Sequence, residues 1–94
     1  VIKIWQLIFQ PGADKQFCKL SKTIQAKILD YFDDRILVTP DPYVFAVKLS
    51  GNDQDLWRFR VGDYRIICKV EKHKLIIMAV AIGHRKEIYK KIRH

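Results

Sequence analysis

Three arginines that alternate with apolar residues around a Gly-Asp pair are the part of this chain best suited to chemistry on an anion. The stretch Leu56-Trp57-Arg58-Phe59-Arg60-Val61-Gly62-Asp63-Tyr64-Arg65-Ile66-Ile67 reads as a β-hairpin. Glycine stands at the first turn position, which suits a two-residue type II′ turn. Side chains alternate faces along a strand, so Trp57, Phe59 and Val61 point one way and Arg58 and Arg60 the other. A two-residue loop then sets Val61 against Tyr64, Arg60 against Arg65, Phe59 against Ile66 and Arg58 against Ile67. Like charges directly opposed destabilise a strand pair. A phosphate would relieve the repulsion, and the planar, multi-donor guanidinium group is shaped to hold one. On that reading Arg65→Ala leaves the fold intact or slightly more stable. Lys69 shares the face, four residues beyond Arg65 on the same strand. The alternative is a solvated basic face without a ligand.

A second group of polar residues follows an apolar strand: Gly83-His84-Arg85-Lys86-Glu87-Ile88-Tyr89. If the helices cover the face carrying Trp57 and Phe59, this segment brings an imidazole, a guanidinium and a phenol to the edge of an open basic platform. Phosphodiester cleavage by an internal 2′-hydroxyl needs such groups. One orients or deprotonates the nucleophile, cations stabilise the charge on phosphorus, and an acid protonates the leaving 5′-oxygen. An aromatic ring can also stack on an unpaired base. Arginine stays protonated in proteins, whereas histidine as a residue type ordinarily titrates at ~6.5, so His84 is the candidate general base. Each residue also has a plainer reading: His84 as a surface or capping histidine, Tyr89 as a packing residue, Lys90, Lys91 and Arg93 as a solvated end.

The elements that must position these groups can be read from periodicity. Ile2–Phe9 is expected to be a strand, broken by Gln10-Pro11-Gly12, and Ala13–Leu20 a short helix. Ser21 is a natural N-cap for a second helix, in which Ile24, Ile28, Phe32 and Ile36 form a stripe widened by Leu29 and Tyr31. Thr39-Pro40-Asp41-Pro42 ends it. Tyr43–Leu49 is a possible strand and Ser50–Asp55 a polar loop before the hairpin. The run Leu75–Ile82 is apolar on both faces and so belongs inside the sheet, with Gly83 closing it and a short basic helix or tail behind. The order is β-α-α-β-β-β-β-tail: a single α+β domain over residues 1–94, two N-terminal helices on one face of a mostly antiparallel sheet of four or five strands.

At 94 residues the chain can close one core without staples. Its net charge of +8 is unevenly distributed. Residues 1–57 hold seven basic and seven acidic side chains; residues 58–94 hold eleven basic ones against Asp63, Glu71 and Glu87. That asymmetry points to nucleic acid or an acidic protein as partner. Cys18 and Cys68 lie in apolar patterns and read as two buried thiols of a reducing cytosol; no zinc-ligand spacing, and hence no metal or other cofactor, is expected. No signal peptide or membrane span is read, Leu75–Ile82 being too short, and Val1 in place of a methionine is read as a trimmed or replaced N-terminus.

The hairpin pattern, the apolar strand and Gly83-His84-Arg85-Lys86-Glu87-Ile88-Tyr89 together closely resemble the RelE/ParE toxin superfamily, in particular its RelE branch. The likeness extends to the two-helix opening and to Lys48-Leu49-Ser50-Gly51. It implies a cytoplasmic bacterial toxin of a type II toxin–antitoxin pair, a ribosome-dependent endoribonuclease that cuts mRNA in the ribosomal A site. It also implies silencing by a RelB-like antitoxin through an acidic amphipathic segment, with operator DNA reached only through the antitoxin. By the same resemblance Arg58 and Arg60 match basic residues at the scissile region, and Arg65 matches an arginine on the transition-state phosphate. Arg85 matches an arginine at the leaving group and Tyr89 a tyrosine that orients nucleotide or nucleophile. Lys48, Lys69, Lys86 and Lys90 are the expected RNA-contacting lysines. Familiar members carry lysine where this chain has Arg58 and Arg60, and other branches use a histidine near His84. Two alternatives stay open: a ParE-like inhibitor of DNA gyrase without nuclease chemistry, and an inactive toxin acting as an antitoxin-bound corepressor.

Overall fold

A computed structural model of the chain describes residues 2–49 and 55–88. Its first strand, β1, is Gln6–Phe9, shorter than the expected Ile2–Phe9. The reason is a competing acceptor: the amides of Ile4 and Trp5 both donate to the Leu37 carbonyl, at 2.7 and 3.0 Å. The Trp5 indole Nε1 donates to the Thr39 carbonyl at 2.8 Å, so this segment is bound to the chain leaving the second helix rather than to the sheet. Helix α1 spans Pro11–Cys18, starting two residues before the expected Ala13. Pro11 opens it instead of breaking the chain, since proline's fixed φ and missing N–H suit the first helical turn.

Helix α2 spans Lys22–Tyr31 and begins as expected, the Ser21 hydroxyl accepting from the Ile24 amide at 3.2 Å. A π-helical turn, Phe32–Ile36, continues it. Ile28, Phe32 and Ile36 are buried and Ile24 and Tyr31 half-buried, but Leu29 is 38% exposed and lies outside the stripe it was expected to widen. The Gln25 side-chain amide donates to the carbonyls of Phe17, Cys18 and Leu20, fastening α2 across the open end of α1. Tyr43–Leu49 is not one strand. A 3₁₀ turn, Pro42–Phe45, precedes a short strand β2, Ala46–Lys48, proline at the first position favouring the turn.

The hairpin is β3, Leu56–Val61, and β4, Tyr64–Glu71, and its register is the expected one: Val61 with Tyr64, Arg60 with Arg65, Phe59 with Ile66, Arg58 with Ile67. Gly62 has φ of 58° and Asp63 a negative φ, the combination of a type II′ turn. Strand β5, Ile76–His84, follows a 3₁₀ turn and the left-handed Leu75, and it includes Gly83. Strand order is β1-β5-β4-β3-β2, β1 running parallel to β5 and every other pair antiparallel. The chain is thus an α+β fold with two helices on one face of a five-stranded sheet, and β5 lies inside the sheet as its apolar run requires.

A β-bulge decides how β5 serves both faces. Ile67 pairs with Ala81 but Cys68 with Ala79, leaving Val80 as the extra residue. Ile77 and Ala79 therefore join Ile82 in the main core under the helices, together with Phe17, Ile28, Phe32, Phe59 and Ile66, although simple alternation would separate them. Past the end of β1, the Ile82 amide donates to Gln16 Oε1 of α1 at 2.7 Å. On the opposite face a smaller cluster joins Leu56, Ile67, Ala81 and Ile88. Cys68 is buried, which pushes its thiol pKa up, whereas Cys18 is exposed, contrary to the expectation of two buried thiols.

Phe32 is fully buried, its ring 5.4 Å from that of Phe59 on the sheet. Phe32→Ala should lower the unfolding free energy measured in urea by about 3–5 kcal/mol. A loss below about 1 kcal/mol would show that the helix layer is not seated on β3 in this way.

Candidate functional site

Cross-strand pairing assigns every candidate residue to a face. Arg60 opposes Arg65 and Arg58 opposes Ile67, with Leu56 opposite Lys69. These six residues share the face turned away from the helices, since Phe59 and Ile66, their alternate neighbours, lie in the helix-covered core. Arg60 is exposed and Arg58, Arg65 and Lys69 are half-buried. The platform is not an open basic plane, however. Leu56, Ile67, Ala81 and Ile88 form an apolar patch on it, so the arginines near the turn are separated from Lys69 by packed side chains.

The hairpin turn gathers the cations. Arg65 Nη1 donates to the carbonyls of Gly62 at 2.9 Å and Tyr64 at 3.1 Å, which folds its guanidinium back over the turn. The Arg85 amide donates to the Asp63 carbonyl at 2.7 Å, extending the β4–β5 ladder by one step. Its guanidinium lies 3.7 Å from the Asp63 carboxylate, with both side chains more than half exposed. Such a pair orients a side chain more than it stabilises the fold. Arg60, Arg65 and Arg85 thus stand at the turn end of the sheet, Arg65 between Arg60 on one neighbouring strand and Gly83, which has no side chain, on the other.

Two expected members face elsewhere. His84 pairs with Tyr64, and their rings meet edge to face at 5.6 Å between centroids. Tyr64 packs against the main core, so His84 lies on the helix side of the sheet, not at the edge of the arginine platform. The cause is the strand period: Gly83, one residue earlier, occupies the position opposite Arg65. Lys48 pairs with Trp57 and is likewise on the helix side, its Nζ 5.9 Å above the Trp57 ring and 3.5 Å from Asp55. Beside it Tyr43 packs on Trp57 with centroids 4.6 Å apart. Burial, then the charges of Asp55 and Asp41, raise the Tyr43 pKa above its ordinary value. Lys86 is exposed in the turn after β5. Tyr89 and Lys90 lie outside the described residues, as does most of the Ser50–Asp55 loop. Among the described residues no His, Cys, Asp and Glu cluster could hold a metal ion, and no helix is long and apolar enough to cross a membrane.

Sequence reasoning missed the link from Asp63 to Arg85 and the burial of Ile88. Ile88 carried a signal, being an isoleucine in an otherwise basic segment. The Asp63 link carried none, because it depends on the bulge that sets β5 against the turn.

Arg65 makes hydrogen bonds that its removal would forfeit, whereas Arg60 is exposed across from it. The expected relief of repulsion therefore belongs to Arg60. Arg60→Ala should raise stability by ~0.2–1 kcal/mol at low salt, the gain shrinking as salt rises. Arg65→Ala should show no gain. Urea titrations at two ionic strengths decide it, and a destabilised Arg60→Ala would mean that the opposed arginines are not in conflict.

Comparison with known proteins agrees with this architecture. The family model described as ParE toxin of type II toxin–antitoxin system, parDE, matches residues 7–89. Among solved structures, the RelBE2 toxin–antitoxin complex of Mycobacterium tuberculosis contains a chain with TM-score 0.76 and 17% identity, covering 89% of this chain and 100% of that one. A chain of the archaeal RelE–RelB complex of Pyrococcus horikoshii gives TM-score 0.68 at 28% identity, over 87% and 96% of the two chains. The isolated RelE toxin of E. coli gives TM-score 0.68 at 22% identity, over 95% and 99%. No curated protein sequence matches.

Proposed function

Since this chain belongs to the ParE toxin family of type II toxin–antitoxin systems, within the RelE/ParE superfamily, we propose that it acts as a RelE-like endoribonuclease, cutting mRNA in the ribosomal A site. The observation that carries the proposal is the placement of Arg60, Arg65 and Arg85 beside one hairpin turn, Arg60 and Arg65 as a cross-strand pair on the face not covered by helices and Arg85 held to Asp63 of the turn. Three guanidinium groups at one end of a sheet suit a phosphate that gains negative charge during reaction.

In this reading the 2′-oxygen bonds to phosphorus and the bond from phosphorus to the 5′-oxygen breaks. The 2′-hydroxyl loses its proton and the 5′-oxygen gains one, leaving a 2′,3′-cyclic phosphate and a 5′-hydroxyl. Arg60 and Arg65 hold the non-bridging oxygens, and Arg85, oriented by Asp63, lies toward the leaving group. Arg58 contacts the neighbouring nucleotide. Tyr89, whose role rests on the family resemblance, follows Ile88 and orients nucleotide or nucleophile. Lys69, Lys86 and Lys90 contact flanking phosphates, while Lys48, on the other face, would meet a different part of the RNA. Inhibition by a RelB-like acidic, amphipathic antitoxin fits the same basic surface.

A second reading is a ParE-like gyrase inhibitor. The observation favouring it is the position of His84, which leaves no histidine among the described residues of the arginine face. Single-turnover cleavage of mRNA on programmed ribosomes separates the two. The nuclease reading expects cleavage by the wild type, with Arg65→Ala slower by about 10²–10³-fold, the effect of removing one transition-state donor. Intact mRNA together with inhibited gyrase supercoiling would favour the second reading and overturn the first.

A further inference from the structure

The turn that follows β5 is closed by the histidine that the arginine face does not use. His84 Nδ1 accepts from the Lys86 amide at 3.2 Å, and the His84 carbonyl accepts from the Glu87 amide at 2.8 Å. The first contact is the geometry by which an Asx side chain caps a turn, with a ring nitrogen in place of the carboxamide oxygen. The ring is fixed from behind by its edge-to-face contact with Tyr64. In three residues this turn carries the chain from the helix side of the sheet to the arginine side. Arg85 is tied to Asp63, and Ile88 is fully buried against Ile67, Ala81 and Leu56.

We infer that His84 is a positioning residue whose Nδ1 caps the turn that delivers Arg85 and Ile88 to the arginine face. The imidazole as a whole lies on the helix side with Tyr64, so the cap reaches the turn from behind the arginine face. The inference rests on the proposed cleavage reaction only for its activity readout. The turn itself can be observed without any RNA.

Asparagine places its Oδ1 where histidine places Nδ1, while glutamine places its Oε1 nearer the Nε2 position. The test is therefore His84→Asn against His84→Gln, in two assays on the full chain. Amide hydrogen exchange should show the Lys86 N–H protected in wild type and in His84→Asn, and unprotected in His84→Gln. Single-turnover mRNA cleavage on programmed ribosomes should be within about twofold of wild type for His84→Asn and lowered about 10-fold or more for His84→Gln, as expected when an Arg near the chemistry is displaced by about an ångström. Equal protection of Lys86 in the two variants would overturn the cap. A protected Lys86 in His84→Asn with cleavage as poor as in His84→Gln would also overturn the inference, because the ring itself would then be needed for the chemistry. Should the wild type cut no mRNA, the proposed function fails and the exchange result alone decides the cap.

Discussion

A two-residue turn is the constraint on which the rest of this structure depends. Gly62 at positive φ lets β3 reverse into β4 without a spare residue, and that single choice fixes Arg60 opposite Arg65. A slip of β4 by one residue would send Ile66 to the exposed face and Arg65 toward the core. The burial of Ile66 in the same core as Phe59 and Phe32 makes such a slip costly, so the hydrophobic side of the sheet enforces the charge repulsion on the other. Fold and site are coupled through one register.

The two faces of the sheet then divide the work. The helix side is apolar and closes around Phe32, Phe59, Ile66 and Ile82, with Gln16 and Gln25 satisfying backbone groups that the short elements leave open. The other side carries a small apolar patch and the arginines, and the patch exists because Ile88 returns across the end of β5. The bulge at Val80 makes this possible: it turns Ala81 and Gly83 toward the arginine side while Ala79 and Ile82 stay in the core. Arg85 is a neighbour of Arg65 for the same reason.

Much of this was legible in the sequence because the hairpin obeys simple rules. Alternation, a Gly-led turn and a doubly apolar run were enough for the register, for the interior place of β5 and for the α+β class. What was not legible depends on tertiary competition. Ile2–Trp5 looks like strand, yet Leu37 and Thr39 offer better placed acceptors. Tyr43 has strand propensity, yet Pro42 turns the chain into a 3₁₀ helix. His84 appears beside the arginines in sequence and stands behind them in space, because one residue of a strand is the difference between two faces. A bulge leaves almost no trace in a pattern, and here it decides which residues reach the site.

We propose above all that Arg60, Arg65 and Arg85, at the turn end of the sheet, bind the phosphate backbone of RNA. The most direct test is a titration of the ¹⁵N-labelled protein with a short single-stranded RNA, following the arginine Nε–Hε resonances. Salt-sensitive shifts are expected at Arg60, Arg65 and Arg85, with the Trp5 indole, buried on the helix side, unmoved. Shifts confined to the helix side around Lys48 and Trp57, with the three arginines unmoved, would contradict the proposal.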